Sequence, residues 1–255
     1  CGGGASGRTR TIEGIQFQVL PLRGRYAQGS APWGNISYGS NLTQNESNTP
    51  CKGDGRGGDG FHQPVVNGCT QTFKNGGCGP TAFAEIMAYY GVQVTNPGDA
   101  ALAQNIKVWN GDQLVPLAQH PQGQAALTTL QSRVPGHIYD PIDAGRRAVE
   151  MNSAGTGGTA LTRNTSFMSY DGFTKTSHHN PEQAAQSIRA GNPLVLYCHH
   201  CNLKFRNISD PDHRGGAHFM VIHGVSQDGQ WFLIHDSGGG GRAGGKFISA
   251  QEIRS

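Results

Sequence analysis

Apolar residues recur at three- and four-residue intervals through Phe83, Ile86, Met87 and Tyr90, which predicts a helix with one buried face, stopped by Gly91. A different period runs through Ile15, Phe17 and Val19, whose alternation with Gln16 and Gln18 predicts a strand with one polar face. Residues 181–191 predict a second helix, with Asn180 as N-cap and Gly191 as terminator. It leads straight into an apolar strand over 193–197. Two β-rich runs, 218–225 and 231–235, flank Asp228-Gly229 and predict a hairpin. Between Asp99 and Leu130 the Ala/Leu/Gln content predicts two helices broken near Pro116 and Pro121. Residues 1–11 read as a flexible tail and 152–159 as a surface loop. Residues 40–70 form a polar insertion rich in Gly, Asn and Ser. No internal repeat is present.

The predicted first helix opens on Gly76-Gly77-Cys78-Gly79-Pro80-Thr81-Ala82. A cysteine in the first turn of a helix has its thiolate stabilised by unpaired backbone N–H groups and the positive end of the helix dipole. That placement lowers the thiol pKa and makes the sulfur nucleophilic near neutral pH. A buried cysteine that merely packs against the core fits the same local sequence.

The hairpin separates these two readings. His218 starts its first strand and Asp236 follows its second, so an antiparallel pairing brings imidazole and carboxylate together. The order is then nucleophile, general base and a carboxylate that orients the base: Cys78, His218, Asp236.

These residues carry a family likeness. GGCGPTAFAEIMAYYG, followed much later by GGAHFMVIHGVSQDGQWFLIHDSG, resembles the papain-like cysteine peptidases of the double-glycine, bacteriocin-processing type, and more closely their stand-alone relatives. The lead-in Gln28…Trp33…Tyr38-Gly39 is similar to the one these domains carry. The resemblance implies an α+β, papain-like fold, with the nucleophile on a central helix packed against a twisted antiparallel sheet. It implies a catalytic domain over 12–255 with an insertion at about 40–70. It also implies Cys78 as nucleophile, His218 as base and Asp236 as orienting acid, acting on a protein or peptide substrate with no cofactor. The family analogy points to small residues such as Gly-Gly before the cut.

Papain-like enzymes place an oxyanion-hole glutamine six residues before the nucleophile, and Thr72 stands there in this chain. Gln71 and Asn75 are the neighbouring candidates for that donor. The loss of one such donor costs about 3 kcal/mol of transition-state stabilisation. No run approaches the ~18 apolar residues of a spanning helix, and no phosphate-binding Gly-x-x-x-x-Gly-Lys-Ser/Thr motif occurs. A detached catalytic module is therefore expected rather than an exporter. A net charge of +3 without a basic, aromatic-interleaved stripe argues against a nucleic-acid partner. Hydrophobic content of 35% with 39 glycines predicts long loops around a modest core.

Six cysteines sharpen the compartment. With Cys78 free, Cys51–Cys69 would close a glycine-rich loop and stabilise by roughly 3 kcal/mol. Cys198 and Cys201 fit either a small disulfide ring or a zinc site completed by His199, His200 or His213. The Asp-Gly run inside the insertion has no EF-hand spacing, and the chain predicts no metal. Cys1, followed by Gly2-Gly3-Gly4-Ala5-Ser6, matches what lipoprotein signal cleavage leaves and would carry a lipid anchor. Asn-x-Ser/Thr sites at Asn35, Asn41, Asn45, Asn164 and Asn207 are compatible with secretion instead. Either way a secreted or cell-envelope protein is expected. Three activities compete: a cysteine peptidase working through a Cys78 thioester, a cell-wall peptide amidase or transpeptidase on the same fold, and a non-catalytic interaction domain. Gly-Pro-Thr after the cysteine, where the best-known papain-like cell-wall amidases have Ser-Gly, favours the first.

Overall fold

A computed structural model describes residues 7–24, 26–29, 33–34, 73–94, 107–110, 113–121, 123–133, 135–150, 154–155, 158–159, 180–198, 203, 206, 218–238 and 246–254. In chain order the elements are β1 (Arg8–Ile12), β2 (Ile15–Val19), α1 (Phe73–Gly76), α2 (Cys78–Tyr89), β3 (Gln93–Val94), β4 (Lys107–Asn110) and β5 (Gln113–Pro116). A 3-10 turn at Leu117–Gln119 precedes α3 (Gly123–Gln131), β6 (His137–Ile138), α4 (Pro141–Glu150), β7 (Ala154–Gly155) and β8 (Gly158–Thr159). The rest are α5 (Pro181–Arg189), β9 (Leu194–Cys198), β10 (His218–Ser226), β11 (Trp231–His235), β12 (Lys246–Ser249) and α6 (Ala250–Arg254). The insertion at 40–70, Gln71, Thr72, the five Asn-x-Ser/Thr sequons and Cys1, Cys51, Cys69 and Cys201 lie outside the described residues, as do His199, His200 and His213.

The protein is α+β, with an antiparallel main sheet ordered β1-β2-β10-β11-β12. β9 pairs with His218–Ile222 of β10, and β2 pairs with Gly224–Ser226 further along, so the two share one edge of β10. β11 takes the other edge over Val221–Val225, with a bulge between Ile222 and Gly224. The expected hairpin is present, and Gly229 takes the positive φ of 73° that its turn requires. Asn180 caps α5 by accepting from the Glu182 N–H at 2.8 Å, and Gly191 ends it with φ 88°.

Both faces of the sheet are covered. On one, Phe219, Val221, Phe232 and Ile248 meet Ala82 and Tyr89 of α2 and Ala184 and Ile188 of α5. On the other, Phe17, Val19, Leu233 and Phe247 form a second cluster. Opposite the sheet, α2 packs Phe83, Ala84 and Met87 against Tyr139 and Ala144, at the start of α4. The helix is thus buried on nearly all sides rather than on one face. Small residues make this feasible: Ala82, Ala84 and Ala88 allow close approach on the faces that the apolar period leaves unassigned.

Three sequence expectations need correction. Arg8–Thr11 are not a tail but an outer strand, β1, which completes a hairpin with β2. Lys107–Asn110 and Gln113–Pro116 pair as the strands β4 and β5 instead of forming a helix. Val108, Trp109, Leu114 and Val115 favour strands, and Asn110-Gly111 is a hairpin dipeptide that outweighs the Ala/Leu/Gln content around it. The helix expected after Pro121 is present as α3. Residues 152–159 contain the β7–β8 pairing rather than only a loop.

A buried ionic cluster anchors the start of α4. Arg133 Nε lies 2.9 Å from Asp140 Oδ2, and Arg133 Nη2 also bonds Asp143. His137 Nε2 lies 2.9 Å from Asp143 Oδ2, while Asp140 Oδ1 accepts from the Ile142 N–H and caps the helix. Burial, together with repulsion from Asp143, pushes Asp140 up to about 6 against the pull of Arg133. Burial also acts to raise Asp143, but its bond to His137 and the Arg133 charge outweigh that and hold it below the usual carboxylate range. Removal of one partner from such a cluster strands the others in the interior. Arg133→Met is therefore expected to destabilise the protein by about 3–5 kcal/mol in denaturant unfolding. A loss under 1 kcal/mol would show that solvent reaches the cluster.

Candidate active site

The α1–α2 junction presents Cys78. A Cβ on Gly77 would lie 2.6 Å from both Cα and O of Phe73, so only glycine allows the chain to pass this close. The next residue starts α2, whose N-terminus has no side-chain cap, and the Gly79 N–H of that first turn is directed to the Cys78 sulfur. Cys78 is a free, half-buried thiol at that end. Burial acts to raise its pKa, but a hydrogen bond with His218, the His218 charge and the backbone N–H groups of Phe219 and Gly79 bring it below the ordinary thiol value.

His218 begins β10, and Asp236 lies one residue beyond the end of β11, as the hairpin predicted. His218 Nε2 is 2.8 Å from Asp236 Oδ1. Because Nε2 is committed to the carboxylate, Nδ1 is the ring nitrogen left for Cys78. Burial acts to lower the pKa of His218. The bonds to Asp236 and Cys78 overcome it and push the imidazole up to about 10. Cys78, His218 and Asp236 are therefore brought together in one bonded row.

Around them the structure places Gln28 of the lead-in and two residues, Lys246 and Glu85, that the sequence alone does not mark. Lys246 Nζ donates to Asp236 Oδ2 at 2.9 Å, and the Gly238 N–H donates to Oδ1 at 2.9 Å. Glu85, two helical turns after Cys78, accepts from the Tyr26 N–H at 3.0 Å, and its Oε1 lies 2.6 Å from His235 Nδ1. Gln28 spans the site: its N–H donates to Ser237 O at 2.9 Å and its Nε2 donates to Lys74 O at 2.9 Å. Its Oε1 is closed to solvent and has no hydrogen-bond partner among the described residues. Of the two oxyanion candidates, Asn75 lies on α1, in the turn before Cys78, and Gln71 is not described. Gln28 was visible in the Gln…Trp…Tyr-Gly lead-in, but a search confined to the residues just before Cys78 passes over it.

Cys198 is the cross-strand partner of His218 and is disulfide-bonded, with its partner outside the described residues. His137, Asp140 and Asp143 form a cluster of metal-ligating types, but Arg133 already occupies it as the counter-cation. A cleft of about 700 Å3 lined by Glu182, Arg189, Asp228 and Gln251 shares no residue with the Cys78 row. Among the described residues no helix is long and apolar enough to cross a membrane.

With that geometry in hand, comparison with known proteins is specific. The profile of the Peptidase_C39 like family matches residues 62–249, and the chain belongs to that family. No curated protein and no solved structure matches it.

Gly238 tests how tightly the histidine is held. A Cβ there would lie 2.8 Å from His218 Cε1 and 3.1 Å from Nε2, so the ring or the turn must shift. Gly238→Ala is expected to slow iodoacetamide alkylation of Cys78 at pH 7 at least ~10-fold, the cost of misplacing a reacting group. Thermal stability should hardly change, since Gly238 is exposed. An unchanged alkylation rate would mean that the ring position does not govern the thiol.

Proposed function

We propose that this member of the Peptidase_C39 like family is a cysteine peptidase of papain-like fold, in which Cys78 attacks the scissile carbonyl and His218 and Asp236 manage the proton. The observation that carries the reading is the lowered thiol of Cys78 against a raised imidazole held by a buried carboxylate. Between those two pKa values the pair rests as thiolate and imidazolium. The thiolate sulfur bonds to the carbonyl carbon, and the oxygen takes up the negative charge. As the C–N bond breaks, the imidazolium gives its proton to the leaving amine. The neutral ring then takes a proton from water, whose oxygen displaces the sulfur from the thioester and restores the starting pair.

The developing oxyanion needs donors already in place. The Cys78 N–H, at the uncapped start of α2, is one. We assign the second to the side-chain amide of Gln28, in place of Gln71 or Asn75, because its backbone and side chain are tethered to the two segments that carry Asp236 and Cys78. The substrate is a peptide with small residues such as Gly-Gly before the cut, and the catalytic unit expected over 12–255 takes in the whole of β1 from Arg8. Gly-Pro-Thr after Cys78 remains the feature that separates it from a cell-wall amidase.

Peptide-library cleavage, read alongside thiol alkylation, tests these assignments. Cys78→Ala should abolish cleavage, and His218→Ala should lower it at least ~100-fold. Gln28→Ala should lower turnover by ~100- to 1000-fold while leaving alkylation of Cys78 near wild type, because the oxyanion forms only on an acyl substrate. If Gln28→Ala slowed alkylation as much as cleavage, its role would be to shape the site rather than to donate.

The pH dependence has a defined sign. Activity falls at low pH as the depressed Cys78 pKa is crossed and the thiolate is protonated. It falls again at high pH, as His218 loses its proton near about 10 and can no longer serve the leaving amine. A bell-shaped kcat/KM profile is expected, with its acid limb below the ordinary thiol range. A single rise near pH 8–9, the free-thiol range, would contradict the ion-pair assignment.

A further inference from the structure

We infer that Lys246 is a positioning residue for the Cys78–His218–Asp236 row: its buried ammonium fixes the Asp236 carboxylate and balances its charge, so that the imidazolium can release its proton. The inference rests on the peptidase reading above and adds to it a fourth member.

Lys246 opens β12 opposite Ile234 of β11, and its side chain is 3% exposed against 1% for Asp236. A lysine this deep gains little for stability, since apolar residues of similar size often serve a buried site as well or better than an ion pair. Its contact gives it another purpose. Asp236 Oδ2 takes the ammonium at 2.9 Å, which leaves Oδ1 to face His218 Nε2 at 2.8 Å and the Gly238 N–H at 2.9 Å. Rotation of the carboxylate would break all three bonds together.

The charges make the same point. Thiolate, imidazolium, Asp236 and Lys246 sum to zero, whereas the row without Lys246 carries a net negative charge in a place shielded from solvent. Among the described residues, the other groups nearby do not supply that cation. Glu85 on α2 is matched by His235 on β11, Lys74 on α1 is exposed, and Arg206 lies over the rings of Trp231 and Phe247. β2 and β9 bring no acidic or basic side chain to this end of the sheet. An uncompensated Asp236 would hold the proton on His218 more firmly, which hinders its delivery to a leaving amine. An opposite charge within ~4–6 Å moves a pKa by about one to three units.

The test is the pH profile of Cys78 alkylation by iodoacetamide in the full chain, which needs no substrate. Lys246→Met removes the charge and the donor, while Lys246→Gln removes the charge but keeps a donor and serves if the first variant fails to fold. Loss of a positive charge makes both neighbours hold their protons to higher pH. Both limbs of the profile, the rise as the Cys78 thiolate forms and the further change in rate as His218 loses its proton, should therefore move upward by about one pH unit in either variant, and Lys246→Arg should leave them in place. In an Asp236→Asn background, Lys246→Gln should shift the limbs far less, because the residue acts through that carboxylate. Limbs that stay at their wild-type positions, or move equally in both backgrounds, overturn the inference. Slow wild-type alkylation with a single limb near pH 8.5 overturns the peptidase reading itself.

Discussion

Asp236 receives an imidazole N–H, a backbone N–H and a lysine ammonium in a space almost closed to solvent. Each donor comes from a different stretch of chain: the start of β10, the turn after β11 and the start of β12. An ionised carboxylate survives in an apolar interior only when its lone pairs are met this fully. That requirement fixes where the three strands end relative to one another. It also explains why the register of β10 against β11 matters beyond sheet stability, because a one-residue slip would send His218 to the opposite face.

The second demand falls on α2. Its body is buried among the sheet and α4, yet its first turn must stay open for the sulfur of Cys78 to act. Glu85 reconciles the two. A carboxylate with no exposed surface on a core helix is costly alone, but it receives the Tyr26 N–H and lies against His235, the neighbour of Asp236. The helix that carries Cys78 and the strand that leads to Asp236 are thereby joined a second time, two turns below the sulfur. Tyr26 adds a further tie, from its hydroxyl to Tyr139 O at 3.1 Å.

Much of this was legible in the chain. The Cys78 helix, the His218–Asp236 hairpin, the capped helix at 181–189 and the strand after it follow from local periodicity and turn chemistry, and local signals survive folding when packing agrees with them. The parts played by Lys246, Glu85 and Gln28 were not legible in the same way. Glu85 and Gln28 stand inside the Cys78 and lead-in motifs, but they reach their partners, like Lys246, only through tertiary packing, and lysine, glutamate and glutamine in a sequence read first as surface residues. The β4–β5 hairpin was hidden by a composition that favours helix, although Asn110-Gly111 carried the contrary signal. β1 was missed because its residues are exposed and alternate no apolar face, so only its pairing with β2 identifies it.

Two borders of the main sheet, at β1 and at β12, meet the same hazard differently. An outer strand offers unpaired N–H and C=O groups that can recruit a strand from another molecule. At one border, β1 is five residues long and projects Arg8 and Arg10 with Thr9 and Thr11, so an incoming copy would face like charges along a short rung. At the other, the Arg206 N–H donates to Phe247 O at 3.1 Å, and its guanidinium lies 4.6 Å from the Trp231 ring centroid. One border is guarded by repulsion and the other by occupancy. Strand-by-strand polymerisation, the usual failure of a sheet with free margins, is thereby discouraged at both ends.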